Sequence, residues 1–173
     1  MQFNVSQLLR ESTGSARRFS LEAVYTEKGR FADSVVGEVH LVRTHHGVLV
    51  RANVDAQVRL TCARCLIEFG SGSVLALEEE FFPQVDVDTG KRLDLPEDSE
   101  GLPISANHIL DLTEAIRQYV ITNQPMKPLC EVNCLGLCQE CGARLNVEKC
   151  NCSDAQRDPR WGALTALLQE SKG

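Results

Sequence analysis

Residues 48–61 read VLVRANVDAQVRLT. Val48, Val50, Ala52, Val54, Ala56, Val58 and Leu60 alternate with Leu49, Arg51, Asn53, Asp55, Gln57, Arg59 and Thr61. Successive side chains leave a strand on opposite faces, so this period of two predicts a long strand with one apolar and one mostly wet face. Upstream, Phe19, Leu21, Ala23 and Tyr25 alternate with Arg18, Ser20, Glu22 and Val24, and a further strand is expected over 35–43. Thr44, His45, His46 and Gly47 form a short polar connection with a glycine, which suits a hairpin and hence antiparallel pairing. Downstream, 66–82 places Ile67, Phe69, Leu75, Leu77 and Phe81 on one face, with Gly70 to Ser73 predicting a bulge or break.

From Pro83 to Pro103 the chain turns acidic, and Pro83, Gly90, Pro96 and Gly101 break any period, so a mobile loop is expected. A helix is predicted from Asp111, whose carboxylate can cap the first turn, with Glu114 in the capping-box position. Leu112, Ala115, Ile116, Tyr119 and Val120 form its apolar stripe, and Asn123 with Pro125 ends it. A last helix is expected from Asp158 and Pro159, carrying Trp161, Leu164, Leu167 and Leu168 at helical spacing. The fold expected is α+β: an antiparallel β-meander or partly closed barrel packed with two or three helices, plus a C-terminal cysteine-rich zinc-knuckle segment. It divides into a β-rich domain over 1–124 and a cysteine module with a closing helix over 125–173.

The chain has 173 residues, 43% of them hydrophobic, enough for one ordinary core. No stretch approaches the roughly 20 apolar residues of a membrane span, and residues 1–10 lack the apolar run of a signal peptide. A cytoplasmic location, with no membrane partner, is the expectation. Formal net charge is −6, which argues against a globally basic nucleic-acid binder and leaves any RNA contact to a local patch or to a partner.

Six of the eight cysteines fall in one short block, at Cys130, Cys134, Cys138, Cys141, Cys150 and Cys152. Clustered thiols in a reducing compartment serve metals or catalysis more often than disulfides. Cys138, Gln139, Glu140, Cys141 and Gly142 form a CxxCG knuckle, and Cys150 with Cys152 can complete a tetrahedral zinc site. Such a site can hold a segment whose few apolar residues, Leu135, Leu137, Leu145 and Val147, could hardly fold alone. Cys62 and Cys65, between the third and fourth strands, either join Cys130 and Cys134 in a second site or stand as a pair of reduced thiols; the spacing leaves both readings open.

No catalytic set is expected. Neither CxxC pair opens a helix after a βαβ strand, as a redox motif would, and His108 is followed by Ile109 and Leu110 rather than by a deaminase glutamate. His40, His45, His46 and His108 propose no triad by spacing, and no small-molecule substrate is indicated. Arg51, Arg59 and Arg64, with Lys127, Arg144 and Lys149 as a second group, are candidate RNA contacts, a solvated charged face being the alternative.

CARCL at 62–66, LDLTEAIR at 110–117 and PMKPLCEVNCLGLCQECGARLN at 125–146, with NVSQLLRE and DPRWGALTALL near the ends, resemble the YceD family of large ribosomal RNA accumulation proteins. The resemblance spans nearly the whole chain. It implies a non-enzymatic role in accumulation of large-subunit (23S-type) ribosomal RNA, with pre-ribosomal RNA or a ribosomal protein as partner. The alternative is a thiol-based redox or metal-handling protein whose cysteines exchange.

Overall fold

The computed structural model describes residues 1–24, 32–93 and 102–152. The chain divides into two compact units: one of Met1–Leu60 with Glu68–Pro128, the other of Thr61–Ile67 with Leu129–Gly173. Residues 61–67 thus belong with the cysteine-rich segment rather than with the strands they join.

In the first unit, β1 (Gln2–Asn4) and α1 (Ser6–Arg10) precede four long strands, β2 (Ala16–Val24), β3 (Ser34–Arg43), β4 (Val48–Thr61) and β5 (Glu68–Pro83). Then follow β6 (Leu102–Ile104), β7 (Ile109–Asp111) and α2 (Thr113–Thr122). The main sheet runs β2-β3-β4-β5-β6, and β1 pairs with β7 in a separate two-stranded ribbon. β2 and β3 pair antiparallel from Ala16↔Val42 to Val24↔Ser34, and β3 and β4 from Ser34↔Gln57 to Arg43↔Val48. β6 adds in parallel to the end of β5, pairing Phe81 with Leu102.

The alternation in β4 is realised residue by residue: every one of Val48, Val50, Ala52, Val54, Ala56, Val58 and Leu60 is buried, and their neighbours reach solvent. The hairpin at Thr44–Gly47 forms as its composition predicts. The Thr44 N–H donates to the Gly47 carbonyl at 3.0 Å, and the Gly47 N–H donates to the Thr44 hydroxyl at 2.8 Å. β5 runs unbroken through Gly70 to Ser73, because pairing along the sheet holds a stretch whose local propensity is poor. It starts at Glu68, so Ile67 is not part of its apolar face.

The sheet is open, which corrects the partly closed barrel. Closure requires the first and last strands to pair in staggered register, but among the described residues β2 and the three-residue β6 remain at opposite edges. The core is instead completed from outside the sheet. Val5, Leu8 and Leu9 of the α1 segment, Leu110, and Leu112, Ala115, Ile116 and Val120 at α2 join Leu41, Val50 and Phe81 in one buried cluster. Two helices are described, both short; the one expected from Asp158, with Trp161, Leu164, Leu167 and Leu168, lies outside the described residues.

Asp111 ends β7 and lies one residue outside the cap position, yet its carboxylate still accepts the Thr113 N–H at 2.9 Å and the Thr113 hydroxyl at 2.6 Å. Glu114 does not reach back to close a capping box; it binds Arg117 and Gln118 on the next turn. Within the acidic stretch, residues 84–93 make a small hydrogen-bonded turn. Val85 bridges Arg92, the Leu93 N–H donates to the Gln84 carbonyl, and the Asp86 carboxylate accepts from Asp88 and Thr89. Residues 94–101 lie outside the described residues. Among the described residues no helix is long and apolar enough to cross a membrane.

Candidate metal centre

In the second unit the eight cysteines fall into two groups of four, Cys62, Cys65, Cys130 and Cys134, and Cys138, Cys141, Cys150 and Cys152. Within each group the sulfurs all lie within 4.8 Å of one another, and none is joined in a disulfide. We call these sites A and B. Cys62 and Cys65, whose partners the spacing left open, thus lie beside Cys130 and Cys134.

The first two cysteines of each group come from a turn with the same backbone bonding. In site A the Cys62 N–H donates to the Ile67 carbonyl at 2.9 Å, and the Leu66 N–H donates to the Cys62 carbonyl at 3.0 Å. In site B the Cys138 N–H donates to the Ala143 carbonyl at 2.8 Å, and the Gly142 N–H donates to the Cys138 carbonyl at 3.0 Å. Each turn places one residue in the left-handed region, Leu66 at φ 58° and Gly142 at φ 74°. Glycine takes that conformation freely and leucine does not. The equivalence of CARCL and CQECG was visible as spacing, but the strain at Leu66 was hidden, since leucine carries no sequence signal for a positive φ.

The sulfur geometry fits a tetrahedral ion. Four Zn–S bonds of about 2.3 Å at tetrahedral angles separate neighbouring sulfurs by about 3.8 Å. Cys62 and Cys134 sulfurs are 3.8 Å apart, and Cys65 and Cys130 sulfurs 3.6 Å. Electrostatics point the same way. Burial opposes ionisation of Cys62, yet backbone N–H groups of Cys65, Cys130 and Arg64 bring its thiol down to about 6. Burial and the sulfurs of Cys65, Cys134 and Cys62 push Cys130 up to about 12. In site B, N–H groups of Cys141 and Glu140 and the Cys150 thiol bring Cys138 down to about 6, while the bond to Cys141, then burial and Cys138, push Cys152 up to about 12. In each group one thiol is thus lowered and another raised, chiefly by burial and by bonds among the sulfurs; a nearby cation favours the thiolate form.

The two sites differ in exposure: three of the four site A cysteines are buried, whereas Cys141 and Cys152 of site B are exposed. Site A is also tied down from around the sulfurs. The Arg64 N–H donates to Cys62 Sγ at 3.5 Å, and its guanidinium donates to the Cys134 carbonyl at 2.8 Å. Gly136, at φ 80°, passes so close to Arg64 that a Cβ there would lie 3.3 Å from its carbonyl oxygen. Asn146 donates its amide to Cys134 Sγ at 3.1 Å, a role the sequence reading missed because an asparagine among cysteines has no distinguishing pattern.

The candidate RNA-contacting side chains are placed as follows. Arg51 pairs with Glu78 at 3.0 Å, Arg59 with Asp33 at 3.1 Å, and Arg64 is bound to Cys134 as above. Lys127 is exposed in the first unit, Arg144 and Lys149 in the second. The first unit holds 12 Lys and Arg against 18 Asp and Glu, the second 6 against 6, so the whole net charge of −6 sits on the unit with the sheet.

Residues 50–168 match the family model described as large ribosomal RNA subunit accumulation protein YceD. An "Uncharacterized protein" of Mycobacterium tuberculosis is 31% identical over 160 residues, covering 92% of this chain and 73% of that protein. A Mycobacterium leprae protein is 29% identical over 161 residues, covering 92% and 70%. The "Large ribosomal RNA subunit accumulation protein YCED homolog 1, chloroplastic" of Arabidopsis thaliana is 33% identical over 61 residues, 35% of this chain and 19% of that protein. No solved structure matches. With more than half of its length matching that model, the chain belongs to the YceD family of large ribosomal RNA subunit accumulation proteins.

Proposed function

We propose that the chain is a non-enzymatic factor for accumulation of large-subunit ribosomal RNA that acts by holding a basic ribosomal protein of the precursor, with structural zinc in sites A and B. The family supports the ribosomal role. The observation that carries the choice of partner is electrostatic: the net charge of −6 resides on the sheet unit, and Arg51 and Arg59, the strand-face candidates for phosphate contact, are each engaged by a carboxylate. A naked phosphate backbone is repelled by such a unit, whereas a lysine- and arginine-rich protein is attracted. Four thiolates favour zinc, and a site closed by four protein ligands leaves no position for a substrate or an activated water. The ion's contribution is folding energy for the cysteine-rich unit.

Affinity isolation of the full chain from cells, with and without ribonuclease, tests the partner. A ribosomal protein that stays bound after digestion is the expected result; release of every ribosomal component by the nuclease would reject the protein contact in favour of RNA. The redox alternative makes a separate demand. It requires a fast-reacting thiol pair in the native protein, whereas structural zinc keeps the thiols slow until a chelator is added.

A further inference from the structure

Asn146 lies in the sequence of one site and bonds to the other. It sits between Cys141 and Cys150, in the stretch that site B closes at both ends. Its side chain nevertheless bonds at site A: Nδ2 donates to Cys134 Sγ at 3.1 Å and approaches Cys130 Sγ at 3.9 Å. Its Oδ1 accepts the Leu135 N–H at 2.7 Å. A backbone N–H can only donate, so the amide oxygen must face Leu135 and the NH2 must face the sulfurs. The stretch around Asn146 is held by bonds to the link between the sites and by a turn of its own. The Leu145 N–H donates to the Gly136 carbonyl at 3.0 Å, Leu137 bridges Arg144, and the N–H groups of Val147 and Glu148 both donate to the Arg144 carbonyl.

From this arrangement, and resting on the metal reading above, we infer that Asn146 is a positioning residue through which sites A and B bind metal cooperatively. Four thiolates around one divalent ion leave an excess of two negative charges, and an N–H aimed at a ligand sulfur offsets part of it. An ion in site B gathers Cys138, Cys141, Cys150 and Cys152, shortens the free loop between them, and so lowers the entropy lost when the Asn146 amide is held on Cys134. Linkage makes the effect mutual: whatever site B adds to the affinity of site A, site A adds to site B.

Hydrogen-bond partners beyond the metal's own ligands typically change affinity about 10- to 100-fold, and Asn146 reaches solvent, so the effect expected is about tenfold. The test is a cobalt(II) titration of the reduced full chain against a competing chelator, read by thiolate-to-cobalt absorption. Asn146→Asp keeps the shape and the acceptor for Leu135 but removes the donors; it should weaken site A about tenfold or more. Disabling site B with Cys150→Ser and Cys152→Ser should weaken site A by a similar factor, and adding Asn146→Asp to that background should weaken it little further. Asn146→Ala, lacking both bonds, should lose at least tenfold at site A. Wild-type chain that binds two cobalt ions, with site A unmoved in either Asn146 variant, overturns the coupling and leaves the metal reading standing. Effects that multiply in the combined variant also overturn it, and wild-type chain that binds no metal overturns both.

Discussion

Leu66 and Gly142 occupy the same place in two turns of the same bonding pattern, and they separate conformational cost from packing. Nothing lies within 4 Å of a Cβ built on Gly142, so a side chain there meets open space and only the backbone resists. Gly142→Ala is expected to cost about 1 kcal/mol, the penalty for a side chain in the left-handed region. The check is the chelator concentration that strips site B, which should fall while site A is retained longer. Asp111 supplies a pH-dependent counterpart in the sheet unit. Burial opposes its charge, but hydrogen bonds from Thr113 and Gln2 hold the carboxyl down to about 2 against an ordinary 3.8. A carboxyl lowered in the folded state stabilises the fold fully above its ordinary value and loses that contribution as pH falls through the lower one. Wild-type chain should therefore lose stability between about pH 4 and 2 more steeply than Asp111→Asn, measured as denaturant midpoints across that range.

At the level of elements, the hairpin β4–β5 has two distinct halves. Its strands are sheet, specified by alternation and buried pairings, and its connection at 62–67 is a tight turn carrying Cys62 and Cys65 that belongs to the other unit. The same six residues thus serve as a loop for one unit and a cysteine-bearing element for the other. α2 is held differently, by an apolar stripe over β5 and by the Tyr119 hydroxyl donating to Glu79 at 2.8 Å. Helix starts of this kind depend on one carboxylate for an otherwise orphaned N–H; Asp111→Ala is expected to cost about 1 kcal/mol of sheet-unit stability, read as a lowered thermal midpoint.

For the whole molecule, the two units draw on different sources of stability. The sheet unit buries a continuous apolar cluster from Val5 to Val120. Among the described residues, the cysteine-rich unit leaves Leu66, Val132, Leu135 and Val147 exposed, and its buried apolar positions are Cys62, Cys65 and Cys134. Sulfurs brought together without a cation repel, so a strong chelator under reducing conditions should collapse the second unit alone. The expected outcome is full thiol reactivity at Cys130 to Cys152 with the β-sheet circular dichroism retained. Loss of both signals at one chelator concentration would mean that the sheet also depends on the metal.

The amino-acid sequence alone determined the strands whose pattern is local and repeated, β2 to β4 above all, the Thr44–Gly47 hairpin, the body of α2, and the family, carried by the cysteine block. These are legible because period-two burial, a turn glycine and CxxC spacing are short-range constraints written into neighbouring residues. Only the tertiary structure decided that the sheet stays open, that three-residue β1 and β7 find each other, and that Cys62 and Cys65 meet Cys130 and Cys134. It alone set Leu66 in a glycine's conformation and brought Asn146 from one cysteine loop to a sulfur of the other site. Such features depend on residues distant along the chain, and the entropy of closing those separations is recovered by contacts that no local window of sequence contains.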